Sequence, residues 1–251
     1  MKSLDGIQAV VTGGTGEGVG RAVVEALAAQ GAKVRVVGRS ADKLEKVKRE
    51  VKGTIETVQG DITDPDVVMR SLGEITPDLL VLSAGQQPGH GPLDEQTWES
   101  FSTNWNTDVK STFHFGQAAV RRPLRPGSTV VILSSGAAMG GSPMSGGYGG
   151  SKWMQKLMAG YLQGISDDRK LGIRFVSLMP KQMIAGTEIA DRASKMYAAK
   201  AGVTQEQFMA KFGKPLTPQM VAEAILTIAR GEGPAGTFLS ITGNNGLEAM
   251  S

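Results

Sequence analysis

Three side chains in the middle of the sequence have the types and spacing that suit proton transfer. Tyr148 and Lys152 are four positions apart, so a helix beginning here would place them on one face. Ser135 precedes the tyrosine, at the end of a predicted strand. A phenol works as an acid or base when a neighbouring ammonium stabilises its phenolate, and a serine hydroxyl can hold a carbonyl oxygen. The three residues predict a site that protonates a carbonyl group while a hydride reaches its carbon.

A glycine-rich segment near the amino terminus has the composition of a phosphate cradle. It begins at Thr12, directly after a predicted strand, and leads into a predicted helix. Glycines let the backbone approach a pyrophosphate, and a helix N-terminus supplies free N–H groups and the positive end of the helix dipole. We therefore predict that this turn binds a dinucleotide through Gly14, Thr15, Gly18, Val19 and Gly20.

The ends of the second and third predicted strands distinguish between nicotinamide dinucleotides. A carboxylate after the second strand would bind the ribose 2′-hydroxyl of NAD, whereas this chain has Arg39 and Ser40. A guanidinium suits a 2′-phosphate, so NADP(H) is predicted in preference to NAD(H), with a solvated arginine as the alternative. Asp61 and Ile62, after the third strand, are predicted to flank the adenine, although Asp61 could also simply begin a turn.

Strand-like and helix-like segments alternate along the whole chain and must position these residues. Nearly continuous apolar strands separated by amphipathic helices are typical of a parallel sheet covered on both faces. We predict an α/β fold in which residues 1–251 form one doubly wound parallel sheet, a Rossmann fold of about seven strands, with substrate loops at roughly 135–150 and 181–215. The predicted strands are Ile7–Val11, Lys33–Val37, Thr54–Gln59, Leu79–Leu82, Thr129–Leu133, Ile173–Ser177 and Phe238–Ile241. The predicted helices are Val19–Gln30, Asp42–Val51, Pro65–Leu72, Trp98–Arg121, Gly150–Ile165 and Pro218–Arg230.

The composition excludes several other classes of protein. Glycine is abundant (34 of 251 residues) but has no Gly-X-Y period, which excludes collagen. With no cysteine and only His90 and His114 as histidines, no metal site is predicted. The 27 basic and 24 acidic residues are mixed, so no nucleic-acid partner is expected. No signal-peptide core or long apolar run is present, and we expect a cytoplasmic protein with no membrane partner.

Together these motifs resemble the short-chain dehydrogenase/reductase (SDR) family over essentially the whole chain. The glycine turn, the Asp61-Ile62 pair, the turn at 83–85, Ser135, the 148–152 segment and Pro180 occur in the family's order and approximate spacing. The resemblance implies a proton-transfer role for Tyr148 and a substrate-orienting role for Ser135. It implies that Lys152 binds the nicotinamide ribose and helps the tyrosine to ionise.

The resemblance also implies contacts outside this trio. Ala84, Gly85, Pro180 and Met183 are expected to contact the cofactor together with Tyr148 and Lys152, and Met144 is expected to contact the substrate with Ser135 and Tyr148. Asp108 occupies the position of a family asparagine that supports the lysine and a proton relay through water, so we count it among the catalytic residues. Asn104 or Asn106 would occupy this position if the helix were shifted.

Three further positions depart from the family pattern. Gly14, Gly18 and Gly20 fit the family's glycine spacing with Gly13 at its threonine position, and an inserted residue is the alternative. Glu17 stands where NADP-dependent relatives often have a basic residue. After Pro180, where the family has glycine, this chain has Lys181, which we interpret as solvated; the alternative is that it rigidifies the turn or directs a cation toward the substrate.

We therefore expect an NADPH-dependent carbonyl reductase or alcohol dehydrogenase acting on a small-molecule ketone or secondary alcohol. Methionines near the predicted loops indicate a hydrophobic substrate, with core filling as the alternative; they are Met139, Met144, Met179, Met183 and Met196.

The sequence leaves open two other functions and the oligomeric state. A group of basic residues within 121–125 and 169–170 could dock an acidic acyl carrier protein if the group adjoined the site, as in 3-oxoacyl reductases. Basic residues at a helix end are, however, usually just solvated. A regulator that binds NADPH without catalysis is the other alternative. The resemblance implies a homodimer or homotetramer that pairs through the helices predicted at Trp98–Arg121 and Gly150–Ile165. The basic group comprises Arg121, Arg122, Arg125, Arg169 and Lys170.

Overall fold

Eight strands pair into one sheet in a computed structural model that describes residues 3–73 and 75–250. The sheet order is β3-β2-β1-β4-β5-β6-β7-β8; the first seven strands run parallel, and β8 is antiparallel to β7. This confirms the predicted α/β doubly wound sheet. The strands are β1 Gln8–Thr12, β2 Lys33–Gly38, β3 Thr54–Gln59, β4 Leu79–Leu82, β5 Thr129–Leu133, β6 Arg174–Pro180, β7 Phe238–Thr242 and β8 Gly246–Ala249.

Helices cover both faces of this sheet. A π-helical turn, Trp105–Val109, joins α4 to α5, so the predicted helix Trp98–Arg121 is continuous but irregular at its centre. Among the described residues, none of the helices is both long and apolar enough to span a membrane. The helices are α1 Val19–Ala29, α2 Ala41–Glu50, α3 Pro65–Leu72, α4 Trp98–Asn104, α5 Lys110–Arg121, α6 Ala137–Gly140, α7 Tyr148–Asp168, α8 Glu188–Ala201, α9 Gln205–Ala210 and α10 Pro218–Arg230.

The two faces of the sheet carry separate hydrophobic cores. Side chains alternate along each strand, so Val11 of β1 points into one core and Val10 into the other. The first core includes α1, α2 and α10, with Leu27 and Ile225 fully buried. The second includes α3, α5 and α7, with Phe115 fully buried. Because both faces are covered, the central strands are mostly apolar, as the sequence pattern indicated, although β2 carries the buried Arg35 and β6 the buried Ser177.

The structure extends several predicted elements and adds others. Strand β6 continues to Pro180, beyond the predicted Ile173–Ser177, and α7 begins at Tyr148 rather than Gly150. Strand β8 was missed, so the sheet has eight strands rather than about seven. This edge strand is only half-buried, and its four residues form no apolar run that would indicate a strand.

The parallel strands end together at one edge of the sheet, and this edge carries the candidate site. The glycine turn follows β1, Arg39 follows β2, Asp61 follows β3, Ser135 follows β5 and Lys181 follows β6. The order of the strands reverses between β1 and β4, which are neighbours although two strands separate them in sequence. Open α/β sheets bind ligands in the crevice at such a point.

Candidate active site

The glycine turn after β1 is held tightly against β4. A β-carbon added at Gly13 would lie 2.6 Å from the Cα of Ala84, and Gly13 has a φ of +78°, which favours glycine. A β-carbon at Gly14 would lie 2.8 Å from Val24, and one at Gly20 would collide with the Gly13 carbonyl. A β-carbon at Gly18 would meet only Thr187, at 3.9 Å. The glycines therefore let the turn pack closely against Ala84 and α1, which fits a pyrophosphate cradle, and Gly13 is a close approach that we did not predict.

Hydrogen bonds join the turn to the end of β4. The Ser83 hydroxyl donates to the Thr12 carbonyl at 2.6 Å, and the Ala84 N–H donates to the Thr12 hydroxyl at 3.2 Å. Thr12 is thus the buried last residue of β1, and its side chain fixes the spacing between the two strand ends. These bonds bring the cradle beside Gly85, which the resemblance assigned to the cofactor.

The ends of β2 and β3 place Arg39 near Asp61. Arg39 is exposed, and no ion pair joins it to another residue of the described ranges. Asp61 has a lowered pKa, chiefly because its carboxylate accepts the Thr63 N–H at 2.8 Å, with Arg39 adding favourable charge. Asp61 therefore begins a turn, as one interpretation held, and Ile62 is buried behind it. The region predicted to bind the adenosine phosphate therefore contains an exposed cation, Arg39, next to the turn that carries the apolar Ile62.

Tyr148 and Lys152 lie at the start of α7, four residues apart as predicted. The Lys152 ammonium is 5.4 Å from the centroid of the Tyr148 ring. The tyrosine is half-buried, and its hydroxyl makes no hydrogen bond to a residue of the described ranges. The lysine is buried, and its carbonyl accepts the Ser134 hydroxyl at 2.8 Å, which ties β5 to α7.

Asp108 is the buried partner of the lysine. Its Oδ2 lies 3.0 Å from Lys152 Nζ, and its side chain is 0% exposed. The π-helical turn between α4 and α5 carries it to this position, and such widened turns often occur at functional sites. Asn104 donates to the Gln86 carbonyl, and Asn106 donates to the Ser102 hydroxyl.

The charges around Lys152 keep it protonated. Burial by itself acts to lower the pKa of this lysine, but the negative charge of Asp108, the hydrogen bond to it and the proximity of Tyr148 outweigh burial and raise the pKa. Gly85 completes the enclosure, because a β-carbon there would lie 3.3 Å from Asp108 Oδ2 and 3.8 Å from Lys152 Nζ. The site therefore contains a fixed positive charge beside the tyrosine.

Ser135 is brought to the same region through α6. Its half-buried hydroxyl accepts the Ala137 N–H at 3.2 Å. The helix that begins at Ala137 contacts the start of α7, since a β-carbon at Gly149 would lie 3.0 Å from the Ala137 carbonyl. The Gly136 N–H donates to the Pro180 carbonyl at 2.7 Å, and this bond joins the segment after Ser135 to the end of β6.

The two predicted substrate loops are joined by a tyrosine of α8. The Tyr197 hydroxyl accepts the Met144 N–H at 3.3 Å and shares a hydrogen bond with the Ser142 hydroxyl at 2.9 Å. Its ring stacks on Phe208 of α9. The segment that carries Met144 is therefore hydrogen-bonded to α8. This helix begins at Glu188, five residues after Met183.

Basic residues considered for carrier docking lie away from this site. Arg125 donates to the Thr76 carbonyl at 2.6 Å, just before β4 begins, so it lies at the amino edge of the sheet. Arg121 and Arg122 end α5 at that edge, and residues 169–170 follow the end of α7. The condition for carrier docking, that these residues adjoin the site, is not met.

Sequence reasoning missed one buried residue of the site, Gln155. Its Oε1 accepts from Lys152 Nζ at 2.9 Å, and its side chain reaches Thr112 on α5. The available signal was its position, since it lies three residues after Lys152 on the face of α7 that must pack against the sheet.

The family follows from the sequence comparison. Residues 8–198 match the family model described as short chain dehydrogenase. The chain therefore belongs to the short-chain dehydrogenase family, a class of oxidoreductases that interconvert CH–OH and C=O groups.

Individual relatives are moderately similar to this chain. C alpha-dehydrogenase of Sphingobium sp. (strain NBRC 103272 / SYK-6) is 31% identical over 247 residues, covering 90% of this chain and 78% of the relative. Carbonyl reductase [NADPH] 2 of Sus scrofa is 35% identical over 136 residues, covering 53% of this chain and 54% of the relative. The chain spans about half the length of most curated relatives that it matches. A solved short chain dehydrogenase from Bacillus anthracis has the same fold, with a TM-score of 0.79, 21% identity and 100% coverage of both chains.

Replacing Asp108 with alanine should destabilise the protein in a pH-dependent way. The variant leaves a buried ammonium unpaired, and we expect a loss of about 3–5 kcal/mol in the free energy of unfolding near neutral pH. The pKa of Lys152 is raised above its ordinary 10.5, so the ion pair contributes fully below that value and is lost as the pH rises through the folded-state pKa. Urea unfolding of the wild type and the variant at about pH 7 and about pH 11 measures the difference in their free energies of unfolding. A difference from wild type that does not shrink at the higher pH would contradict the assignment.

Proposed function

We propose that this protein is an NADPH-dependent carbonyl reductase or alcohol dehydrogenase, which passes a hydride between the cofactor and a ketone or secondary alcohol. The observation that carries the proposal is the buried, charged Lys152 at 5.4 Å from the centroid of the Tyr148 ring, whose hydroxyl has no hydrogen-bond partner among the described residues. The family to which the chain belongs supports the same reaction class.

The chain's own residues account for the proton transfer. The Ser135 hydroxyl holds the carbonyl oxygen of the substrate, and the Tyr148 hydroxyl delivers its proton to that oxygen. The Lys152 ammonium stabilises the phenolate that is left behind. In the oxidative direction the phenolate accepts the proton of the alcohol. A bound nicotinamide supplies or accepts the hydride.

The preference for NADP(H) rests on the end of β2. Arg39 is exposed there without an ion-pair partner in the described ranges, and no carboxylate follows the strand. The adjacent Gly38 closely faces Thr15 of the cradle, with a β-carbon position 2.8 Å from its methyl carbon. Arg39 therefore stands beside the cradle, where a 2′-phosphate would lie. The name of the pig relative also includes NADPH.

We propose a hydrophobic carbonyl compound as the substrate. Met139 lies on α6 and Met144 on the loop that follows it, where its N–H donates to the Tyr197 hydroxyl of α8. The Tyr197 ring stacks on Phe208 of α9. Adaptable thioethers and stacked rings favour apolar shapes. The basic group considered for docking an acyl carrier protein lies at the opposite edge of the sheet, and a non-catalytic regulator would not require the intact Ser135, Tyr148 and Lys152.

Loss of the tyrosine hydroxyl should remove turnover. We expect Tyr148→Phe to lower kcat by about 10²–10⁴-fold, because the proton donor is lost while the ring remains. Cofactor oxidation across a panel of apolar ketones, sugars and quinones provides the assay, and the fluorescence of bound NADPH serves as the control for cofactor binding. A variant that keeps most of the wild-type turnover would overturn the acid and base assignment. A wild-type protein inactive on the whole panel would favour the regulator.

Loss of the Arg39 guanidinium should change the cofactor preference. We expect Arg39→Ala to weaken NADPH binding roughly ten- to hundredfold and to leave NADH binding unchanged, because only the 2′-phosphate needs the cation. Fluorescence titration with each nucleotide measures both affinities. Arg122→Ala, an exposed arginine at the opposite edge of the sheet, is the matched control. Equal affinity of the wild-type protein for the two nucleotides would exclude the 2′-phosphate role.

We further propose that the protein forms a homodimer or homotetramer through an exposed aromatic face on the helices beside the site. Trp98 (72% exposed), Trp105 and Phe113 belong to the segment from α4 to α5, and Trp153 and Tyr161 lie on α7. Exposed groups of large apolar side chains mark interaction surfaces.

A charge on the aromatic face should break this assembly. Phe113→Glu is expected to lower the sedimentation coefficient to that of a smaller species, because the carboxylate would be buried without a partner at the interface. Sedimentation velocity of both proteins provides the measurement, with circular dichroism as the control for folding. A wild-type monomer would remove the proposal.

A further inference from the structure

Gln155 is a fully buried polar side chain on the packed face of α7. It is 1% exposed, and its neighbours on this face include the apolar Met158, Ala159 and Leu162. A buried amide costs free energy unless its polar atoms are hydrogen-bonded. An apolar residue would fill this position at a lower cost in desolvation free energy. The hydrogen-bond partners of Gln155 therefore indicate its role.

Both ends of the amide are bonded, and the bonds fix its orientation. Its Nε2 donates to the Thr112 hydroxyl at 2.7 Å and to the Asp108 carbonyl at 3.3 Å. The Thr112 hydroxyl itself donates to the Asp108 carbonyl at 2.8 Å, so its oxygen is free to accept from Gln155. Because the Lys152 ammonium has donors only, the Oε1 must face Lys152, and the NH₂ group then faces the oxygens of Thr112 and Asp108.

The Lys152 ammonium consequently has two protein acceptors on two different elements. Asp108 Oδ2, from the π-helical turn, forms an ion pair with Nζ at 3.0 Å, and Nζ donates to Gln155 Oε1, from α7, at 2.9 Å. The carboxylate is held in turn, since the Gln86 N–H donates to its Oδ1 at 2.9 Å.

We infer that Gln155 is a positioning residue, which with Asp108 holds the Lys152 ammonium at its working position before any nucleotide or substrate binds. Gln155 touches no reacting atom and acts only through the lysine. Without it, the ammonium would have a single protein acceptor and could turn about the bond to Asp108, away from the tyrosine. This role in hydride transfer rests on the proposed function, whereas the holding of the ammonium itself does not.

The test uses Gln155→Met, which keeps the length of the side chain and removes the acceptor. In the protein without ligand, we expect the ¹H–¹⁵N signal of the Lys152 ammonium to be visible in the wild type, because its protons are hydrogen-bonded and exchange slowly. We expect this signal to disappear in the variant. Lys152→Arg identifies the signal by its absence. We expect kcat on an active ketone to fall by roughly 10- to 100-fold, with little change in the KM for the ketone, because the charge beside Tyr148 is misplaced.

Two companion variants separate positioning from packing. Gln163→Met changes the same residue type on the same helix, where Oε1 accepts the Phe175 N–H at 2.7 Å and no bond reaches Lys152. It should lower the thermal midpoint while keeping the ammonium signal and kcat. Gln155→Glu restores an acceptor for the lysine and should restore the signal.

The outcomes distinguish this inference from the proposed function. A Gln155→Met protein with the wild-type ammonium signal and wild-type kcat would overturn the inference, as would equal losses of kcat in the Gln155→Met and Gln163→Met variants. If the wild type reduced no carbonyl but the ammonium signal behaved as expected, the proposed function would fail while the positioning of Lys152 by Gln155 would stand.

Discussion

The burial of one ammonium group constrains the architecture around the site. Lys152 is enclosed, and an enclosed charge must have a partner, because an unpaired buried ion destabilises a fold by several kcal/mol. The partner, Asp108, comes from a different helix, so α5 and α7 must pack closely enough for a 3.0 Å ion pair. Gly116 permits that approach, since a β-carbon there would collide with Leu162. The buried ion pair and the close packing of the two helices therefore depend on each other.

The junction between β1 and β4 connects this charge to the cradle. Thr12 ends β1 and is bonded to Ser83 and Ala84, while Gly13 fits against the backbone of Ala84. Gly85 follows immediately and lies against the Asp108–Lys152 pair. A nucleotide seated on the glycine turn would thus extend along the strand ends toward Tyr148. The reversal of strand order opens a crevice at this junction, which explains why residues distant in sequence face one space.

Most of the fold and several site residues were predictable because their signals are local. Runs of apolar β-branched residues indicated seven strands, and the four-residue spacing of Tyr148 and Lys152 indicated a shared helix face. Strand β8 escaped prediction because it is a short, half-buried edge strand whose pairing with β7, rather than its composition, makes it a strand. The π-helical turn escaped too, since it widens a segment whose sequence is compatible with an ordinary helix.

The sequence by itself determined the class of fold, the position of the glycine turn after β1, and the shared helix of Tyr148 and Lys152, since each depends on residue type and short spacing. Tertiary structure alone decided that Asp108, rather than Asn104 or Asn106, faces the lysine, because the π-helical turn sets the rotation of that segment. It also decided that Gln155 shares the ammonium and that the arginines of 121–125 stand at the far edge of the sheet. The placements of Asp108 and Arg125 arise from contacts between segments far apart in the chain, about which residue spacing carries no information. Gln155 lies one helical turn from Lys152, but only its hydrogen bonds to Thr112 and Asp108 on a neighbouring segment set the direction of its amide.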